Sequence, residues 1–332
     1  MFSVLLASAI AFLVTLSLGT KFIEFVQGRR FGQFVREEGP QTHLIKAGTP
    51  TMGGVVMLFG VAAAMVVVAR PNAATLTALV IMVTVASVGL YDDWQKISKK
   101  RSEGLSAKAK AGLLALAVVL AVVLAVRYVG VTQNVVVPGL DLNLVLGPGL
   151  VGVAIFSVLM LLVLVGTTNA VNLTDGLDGL ASGAGAIALA TYTAIAFMER
   201  QYDLAIICAA MVGALIGFLW FNAHPAQMFM GDTGSLAIGG ILAAAAVLTK
   251  TELLLPIIGG LFVIETISVI IQVAVFKLTG HRVFKMTPIH HHFELIGWEE
   301  TQVVVRFWII QAVFSGFGFA LYYLTLYNRG PF

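Results

Sequence analysis

Asn169–Leu180 reads N-A-V-N-L-T-D-G-L-D-G-L. It follows, almost without a gap, an apolar run long enough to cross a bilayer. Two carboxamides and two carboxylates, Asn169, Asn172, Asp175 and Asp178, recur in it at every third residue. On a helix or its frayed end, that spacing sets neighbouring polar groups on one side. A polar stripe abutting a membrane-length segment is costly unless it faces water, a cation or a substrate. The remainder of the chain is therefore read as scaffolding that brings other polar residues to this stripe.

Composition supports a membrane setting. The 332 residues are 59% hydrophobic and only 11% charged, with a mean hydropathy of +0.95, whereas soluble domains carry roughly 25% charged residues. The single cysteine, Cys208, lies in an apolar run, which excludes a disulfide framework and a cysteine metal site. The first apolar run has no basic residue before it and the same kind of segment recurs down the chain, so it is read as a span and not a cleaved signal.

Apolar windows near the ~20 residues needed to cross a bilayer fall at about 2–26, 50–69, 73–90, 109–129, 150–168, 181–198, 203–221, 234–250, 252–276 and 303–327. The expected fold is an all-α polytopic membrane protein of about ten transmembrane helices, forming one integral-membrane domain over 1–332. Basic residues are unevenly spread. Lys21, Arg29, Arg30, Arg36 and Lys46, then Lys96, Lys99, Lys100, Arg101, Lys108 and Lys110, then Lys277, Arg282, Lys285 and Arg306 fall on alternate loops, and account for 15 of the 20 Lys and Arg. The positive-inside rule places these loops in the cytoplasm. Both termini then lie outside, which needs an even number of spans. The outside stretch 130–149 alternates apolar and polar residues around Pro138–Gly139 and is read as a small β-hairpin.

Two inside loops, 169–180 and 222–233, carry Asp but no Lys or Arg. With Asp92–Asp93 after the third window, they put Asp92, Asp93, Asp175, Asp178 and Asp232 on one face. Hard oxygen ligands without cysteine suggest Mg²⁺, bound by a few carboxylates with water and phosphate oxygens. Each Asp taken alone also fits a cap or turn residue. His290, His291 and His292 are consecutive and cannot all point to one metal, but imidazoles at an interface can bind phosphate or carry protons. The stretch Lys46–Gly54, K-A-G-T-P-T-M-G-G, lacks the Walker A pattern. Its glycines and threonines can approach a phosphate or simply pack a helix start. Lys96 and Lys108 are the basic residues chosen to hold diphosphate; the basic cluster also fits attraction to anionic lipid. Phe229, between two Met residues, can stack on a base or sit in the core.

Taken in order, G-T-P-T-M-G-G at 48–54, Y-D-D-W at 91–94, the 169–180 stretch, F-N-A-H-P-A at 221–226, M-G-D-T-G-S at 230–235 and M-T-P-I-H-H-H-F-E at 286–294 resemble the phospho-N-acetylmuramoyl-pentapeptide transferases. These form a branch of the polyprenyl-phosphate N-acetylhexosamine-1-phosphate transferases. The resemblance implies a homodimer in the bacterial cytoplasmic membrane, with Mg²⁺ and an active site facing the cytoplasm. It implies transfer of phospho-N-acetylmuramoyl-pentapeptide from UDP to undecaprenyl phosphate, with UMP released and membrane lipid but no nucleic acid as partner. Asp232 would ligate the metal directly, with Asp92, Asp93 and Asp175 beside it and Asp92 as the candidate base; the family admits direct attack or an aspartyl intermediate, and single displacement is the reading favoured here. Lys46, Thr51, Asn172, Asp175, Gly176, Leu177, Asp178, Asn222 and Phe229 would form the nucleoside pocket, with Phe229 stacked on uracil. His290, His291 and His292 would face diphosphate or sugar, and Lys96 and Lys108 would hold phosphate. The competing readings are a sister transferase using UDP-N-acetylglucosamine and an ion-coupled transporter, whose polar residues would sit near mid-membrane.

Overall fold

A computed structural model describes residues 1–28, 46, 48–70, 72–99, 101, 103–140, 142–147 and 149–328. Arg29, Arg30, Arg36 and Lys100 of the charge pattern lie outside the described residues, as do Ala47, Pro71, Asp141, Pro148 and Arg329. The long helices are α1 Phe2–Gly28, α2 Gly54–Val68, α3 Ala73–Ser98, α4 Ala107–Val123 (with a π-helical end, Leu124–Val129), α5 Gly149–Thr174, α6 Leu180–Met198, α7 Tyr202–Asn222, α8 Gly231–Leu248, α10 Gly260–Thr279 and α12 Glu300–Asn328. Short α9, Leu255–Ile258, precedes α10, and α11, Ile289–Leu295, precedes α12. Among the described residues, nine of these helices are long and apolar enough to span a membrane. The chain is a multi-pass membrane protein.

Each of the ten windows contains one long helix, with three adjustments. The second, α2, has only 15 residues, about 22 Å at 1.5 Å per residue. The chain before it runs extended instead: Phe229 N–H donates to the Pro50 carbonyl at 2.7 Å, and Gly53 N–H to the Phe229 carbonyl at 2.9 Å. The third window stops at 90, yet α3 continues to Ser98, so Asp92 and Asp93 are helical and buried. The ninth is divided, because Pro256 belongs to α9 and α10 starts afresh at Gly260. Local chemistry fixes several ends. Asn72 accepts from Thr75 N–H at 3.0 Å and caps α3, Ser106 accepts from Ala109 N–H at 3.3 Å and caps α4, and Gly280 closes α10 in the left-handed conformation with φ 73°.

The hairpin is present. Strands β1, Asn134–Val137, and β2, Leu142–Val145, pair antiparallel with Asn134 opposite Val145 and Val137 opposite Leu142. It is tied to the end of the bundle where α8 finishes: Lys250 Nζ donates to the Thr132 carbonyl at 3.1 Å, and Gly139 N–H to Thr325 Oγ1 at 2.8 Å. Helix α1 runs beside α7 in the same direction, since a Cβ on Gly213 would meet Ser8 and one on Gly19 would meet Phe221. The hairpin, the start of α1 and the end of α12 therefore share one end of the bundle. The acidic motifs share the other.

Helix α8 is the axis, with every residue from Asp232 to Leu248 buried. Its glycines and alanines let neighbouring backbones come close, where dispersion has its full effect. At Gly89 of α3, an added Cβ would overlap the Asp232 carbonyl; at Gly112 of α4, it would meet nothing within 4 Å. Gly89→Ala is expected to destabilise the fold by about 1–3 kcal/mol, read as a lower Tm of the detergent-solubilised protein. Gly112→Ala should leave Tm unchanged or slightly raised.

Candidate active site

Asp93 stands where α3 meets the start of α8. Its Oδ1 accepts from Asp232 N–H at 3.0 Å, and its Oδ2 accepts from Thr233 N–H at 2.9 Å and Thr233 Oγ1–H at 2.7 Å. The two N–H groups are donors that a helix leaves unsatisfied in its first turn, so Asp93 serves α8 as a cap contributed from another helix. Gly231, at φ 71°, makes room, for a Cβ there would press on the Asp93 carboxylate. The docking aims Asp232 at Asp92 and Asp93, and one oxygen from each of the three lies within 4.8 Å of the others.

Two ammonium groups share this cluster. Lys96 Nζ lies 2.7 Å from Asp92 Oδ2, 3.7 Å from Asp93 Oδ1 and 3.0 Å from Asp232 Oδ1. Lys110 Nζ, from the first turn of α4, lies 2.5 Å from Asp232 Oδ2 and 3.4 Å from Asn172 Oδ1. Asn172 Nδ2 donates to Asp232 Oδ1 at 3.0 Å and Ser235 Oγ at 2.9 Å, while Leu105 N–H donates to Asp92 Oδ1 at 2.7 Å. The polar stripe of 169–180 thus divides. Asn172 enters the cluster, whereas Asn169 spends its amide on the Val165 carbonyl of its own helix at 2.8 Å. Asp175 follows the last residue of α5; burial and the nearby charges of Asp232 and Asp93 push its carboxyl well above the usual carboxylate range.

Asp178 belongs to a second cluster. Its Oδ1 lies 2.8 Å from Lys46 Nζ, and its Oδ2 accepts from Ala226 N–H at 3.0 Å and lies 3.1 Å from His224 Nδ1. Glu300, opening α12, accepts from Asp178 N–H at 2.8 Å and from Lys46 Nζ at 2.6 Å through the same oxygen. Asn222 is fully engaged: its Oδ1 accepts from Gly179 N–H at 3.1 Å and Ser182 Oγ–H at 2.7 Å, and its Nδ2 donates to the Met228 carbonyl at 3.0 Å. It fastens the D-G-L-D-G turn to the loop bearing half-buried Phe229. Leu177 and Thr51 are buried, and the Pro50–Phe229 hydrogen bond brings Thr51 to the same loop.

The three histidines on α11 point three ways. His290 is fully buried, with Nδ1 3.1 Å from Glu265 Oε2 of α10, and its Nε2 edge occupies the space a side chain on Gly176 would need. His291 Nδ1 lies 2.7 Å from Glu294 Oε2. His292 Nδ1 accepts from Lys285 N–H at 3.1 Å. Sequence reading chose Lys108 over Lys110, and the structure places Lys108 exposed and Lys110 on Asp232. Two residues apart on a helix of 3.6 residues per turn point nearly opposite ways, so only one can face α8. Glu300, His224 and Glu265 were also missed. Glu265 left a sequence signal as an acidic residue inside a long apolar window, and His224 left one as part of the F-N-A-H-P-A motif; Glu300 left none.

The chain is similar over most of its length to known proteins. Residues 75–250 match the model of glycosyl transferase family 4, and 46–58 match signature 1 of the phospho-N-acetylmuramoyl-pentapeptide-transferases. Similar proteins carrying that name occur in Rubrobacter xylanophilus, 72% identical over 99% of both chains. Another, from Geobacillus thermodenitrificans, is 49% identical over 95% of this chain and 96% of the relative. A third, from Bacillus anthracis, is 46% identical over 97% of both.

The capping role of Asp93 has a stability consequence. Asp93→Ala strips the acceptor from two buried N–H groups and a hydroxyl, each costing about 1–3 kcal/mol when left bare. A markedly lower Tm is expected in thermal denaturation, with Thr233→Val lowering it less.

Proposed function

The chain belongs to the phospho-N-acetylmuramoyl-pentapeptide-transferase family, and we infer from that membership that it makes the lipid-linked sugar-pentapeptide of peptidoglycan synthesis. It takes phospho-N-acetylmuramoyl-pentapeptide from its UDP carrier and gives it to undecaprenyl phosphate, releasing UMP. The convergence of Asp92, Asp93 and Asp232 with Lys96 and Lys110 at one end of the bundle carries the reading. Both substrates are phosphates, and a site that joins them must gather and neutralise negative charge.

The acidic cluster can hold a metal ion. Three carboxylates face two ammonium groups, which leaves negative charge uncompensated among hard oxygen donors, and that set fits Mg²⁺. Asp232 would be the direct ligand, with Asp92, Asp93 and Asp175 beside it. Held there, Mg²⁺ would supply positive charge to neutralise the diphosphate. Lys96 and Lys110 supply N–H donors to phosphate oxygens, and Lys108 stands as an outer charge on the same helix. Asp92 takes the proton of the lipid phosphate in a single displacement. Transfer then depends chiefly on alignment of the two phosphates.

At the other end of the D-G-L-D-G turn, Lys46, Thr51, Gly176, Leu177, Asp178, Asn222 and Phe229 form the nucleoside pocket, with Phe229 stacked on uracil; Asn172 and Asp175, expected there from the sequence, stand instead with the acidic cluster and meet the donor at its phosphate side. Asn222 contributes by holding the Phe229 loop. His290, His291 and His292 border the diphosphate and sugar side, His290 by pressing against Gly176. The UDP-linked substrate is cytosolic, so the site faces the cytoplasm and both termini lie outside the bacterial inner membrane. The 332 residues act as one domain, and the enzyme works as a homodimer.

The test is UMP release from UDP-N-acetylmuramoyl-pentapeptide, which should require both undecaprenyl phosphate and Mg²⁺. Asp232→Asn should lower turnover at least about 100-fold with membrane insertion intact. Near-normal activity of that variant across Mg²⁺ concentrations would overturn the metal assignment.

A further inference from the structure

Glu300 is the first residue of α12, where the helix dipole favours a carboxylate, and it joins three segments far apart in sequence. Its Oε1 accepts from Lys46 Nζ at 2.6 Å and Asp178 N–H at 2.8 Å, and its Oε2 lies 3.4 Å from His224 Nδ1. Lys46 Nζ is held a second time by Asp178 Oδ1 at 2.8 Å. A lysine side chain is long and rotamer-rich, and fixing it costs up to about 2 kcal/mol of entropy. Two charge-assisted hydrogen bonds in a largely buried setting offset that cost. They also take two of the three N–H donors, leaving the third with a fixed direction.

The charge balance bears on what Lys46 can bind. Placed between two carboxylates, it is no free cation and gives no net attraction for phosphate. It is a directional donor beside directional acceptors, suited to a neutral heterocycle or a ribose hydroxyl. We propose that Glu300 is a positioning residue for the nucleoside end of the donor substrate, setting Lys46 and the Asp178 turn in the arrangement that receives it. The proposal rests on the reading that Lys46 and Asp178 belong to the nucleoside pocket.

The test uses steady-state kinetics of the full-length enzyme in detergent, with each substrate varied in turn. Glu300→Gln keeps the length and an amide oxygen able to accept from Asp178 N–H, but removes the charge from Lys46. Replacing a charge-assisted hydrogen bond to Lys46 by a neutral one should raise KM for UDP-N-acetylmuramoyl-pentapeptide about 10-fold. Turnover, KM for undecaprenyl phosphate and Tm should stay near wild type. Lys46→Met should also raise the donor KM, and adding Glu300→Gln to it should raise KM little further, because both changes act through the same contact. If Lys46→Met leaves the donor KM unchanged, the pocket reading fails and the proposal falls with it. If Lys46→Met raises KM but Glu300→Gln does not, only the proposal is overturned. It is also overturned if Glu300→Gln lowers Tm and turnover and raises both KM values together, the pattern of a structural fastening. Should that variant not fold, Glu300→Asp, which keeps the charge but shortens its reach, is read by the same split of KM values.

Discussion

A carboxylate from α3 set against the bare first turn of α8 is the contact on which the site depends. Asp93 satisfies donors that would otherwise be buried without partners, and so locks α3 to α8 in rotation and height. Asp92 and Lys96, one residue before and three after it, then have one place to be, and Asp232 at the start of α8 is turned to meet them. Small residues permit the approach: Gly89 on one side of the contact and Gly231 on the other leave no room for a Cβ. Helix packing and site geometry are here a single problem, solved by the same few residues.

The polar end of the bundle falls into two clusters of different electrostatic character. Around Asp232, three carboxylates outnumber two lysines, and the excess negative charge invites a cation. Around Asp178, a lysine lies between two carboxylates and is already matched. The D-G-L-D-G turn links them, with Asp175 under the influence of Asp232 and Asp93 and Asp178 turned toward Lys46 and Ala226. Within one turn the chain thus passes from a cluster with excess negative charge to one whose lysine is held by two carboxylates.

Hydropathy made the spans and the hairpin legible, because a bilayer leaves few alternatives to an apolar helix. It stopped α3 early at Asp92 and Asp93, since a window average does not register that a carboxylate can be buried by capping another helix. It overestimated α2, whose place is partly taken by extended chain paired with Phe229. Motifs bearing Asp, Asn and His in unusual density were legible as chemistry. Glu300 was not, because nothing adjacent to it in sequence marks it; its importance comes from Lys46 and Asp178, which only the fold brings near. The choice between Lys108 and Lys110 depended on helical phase, which composition does not supply.

Helix α8, buried along almost its whole length, has a consequence for how the protein lives among lipids. Changes in bilayer thickness act on exposed helices by tilting or shifting them. The exposed apolar side chains of α1, α5, α10 and α12 meet that force, while α8 is shielded from it by its neighbours. A shift in lipid composition must first move the outer helices before it can displace Asp232. The anchor of the acidic cluster is thus mechanically insulated from the membrane that supplies one of its substrates.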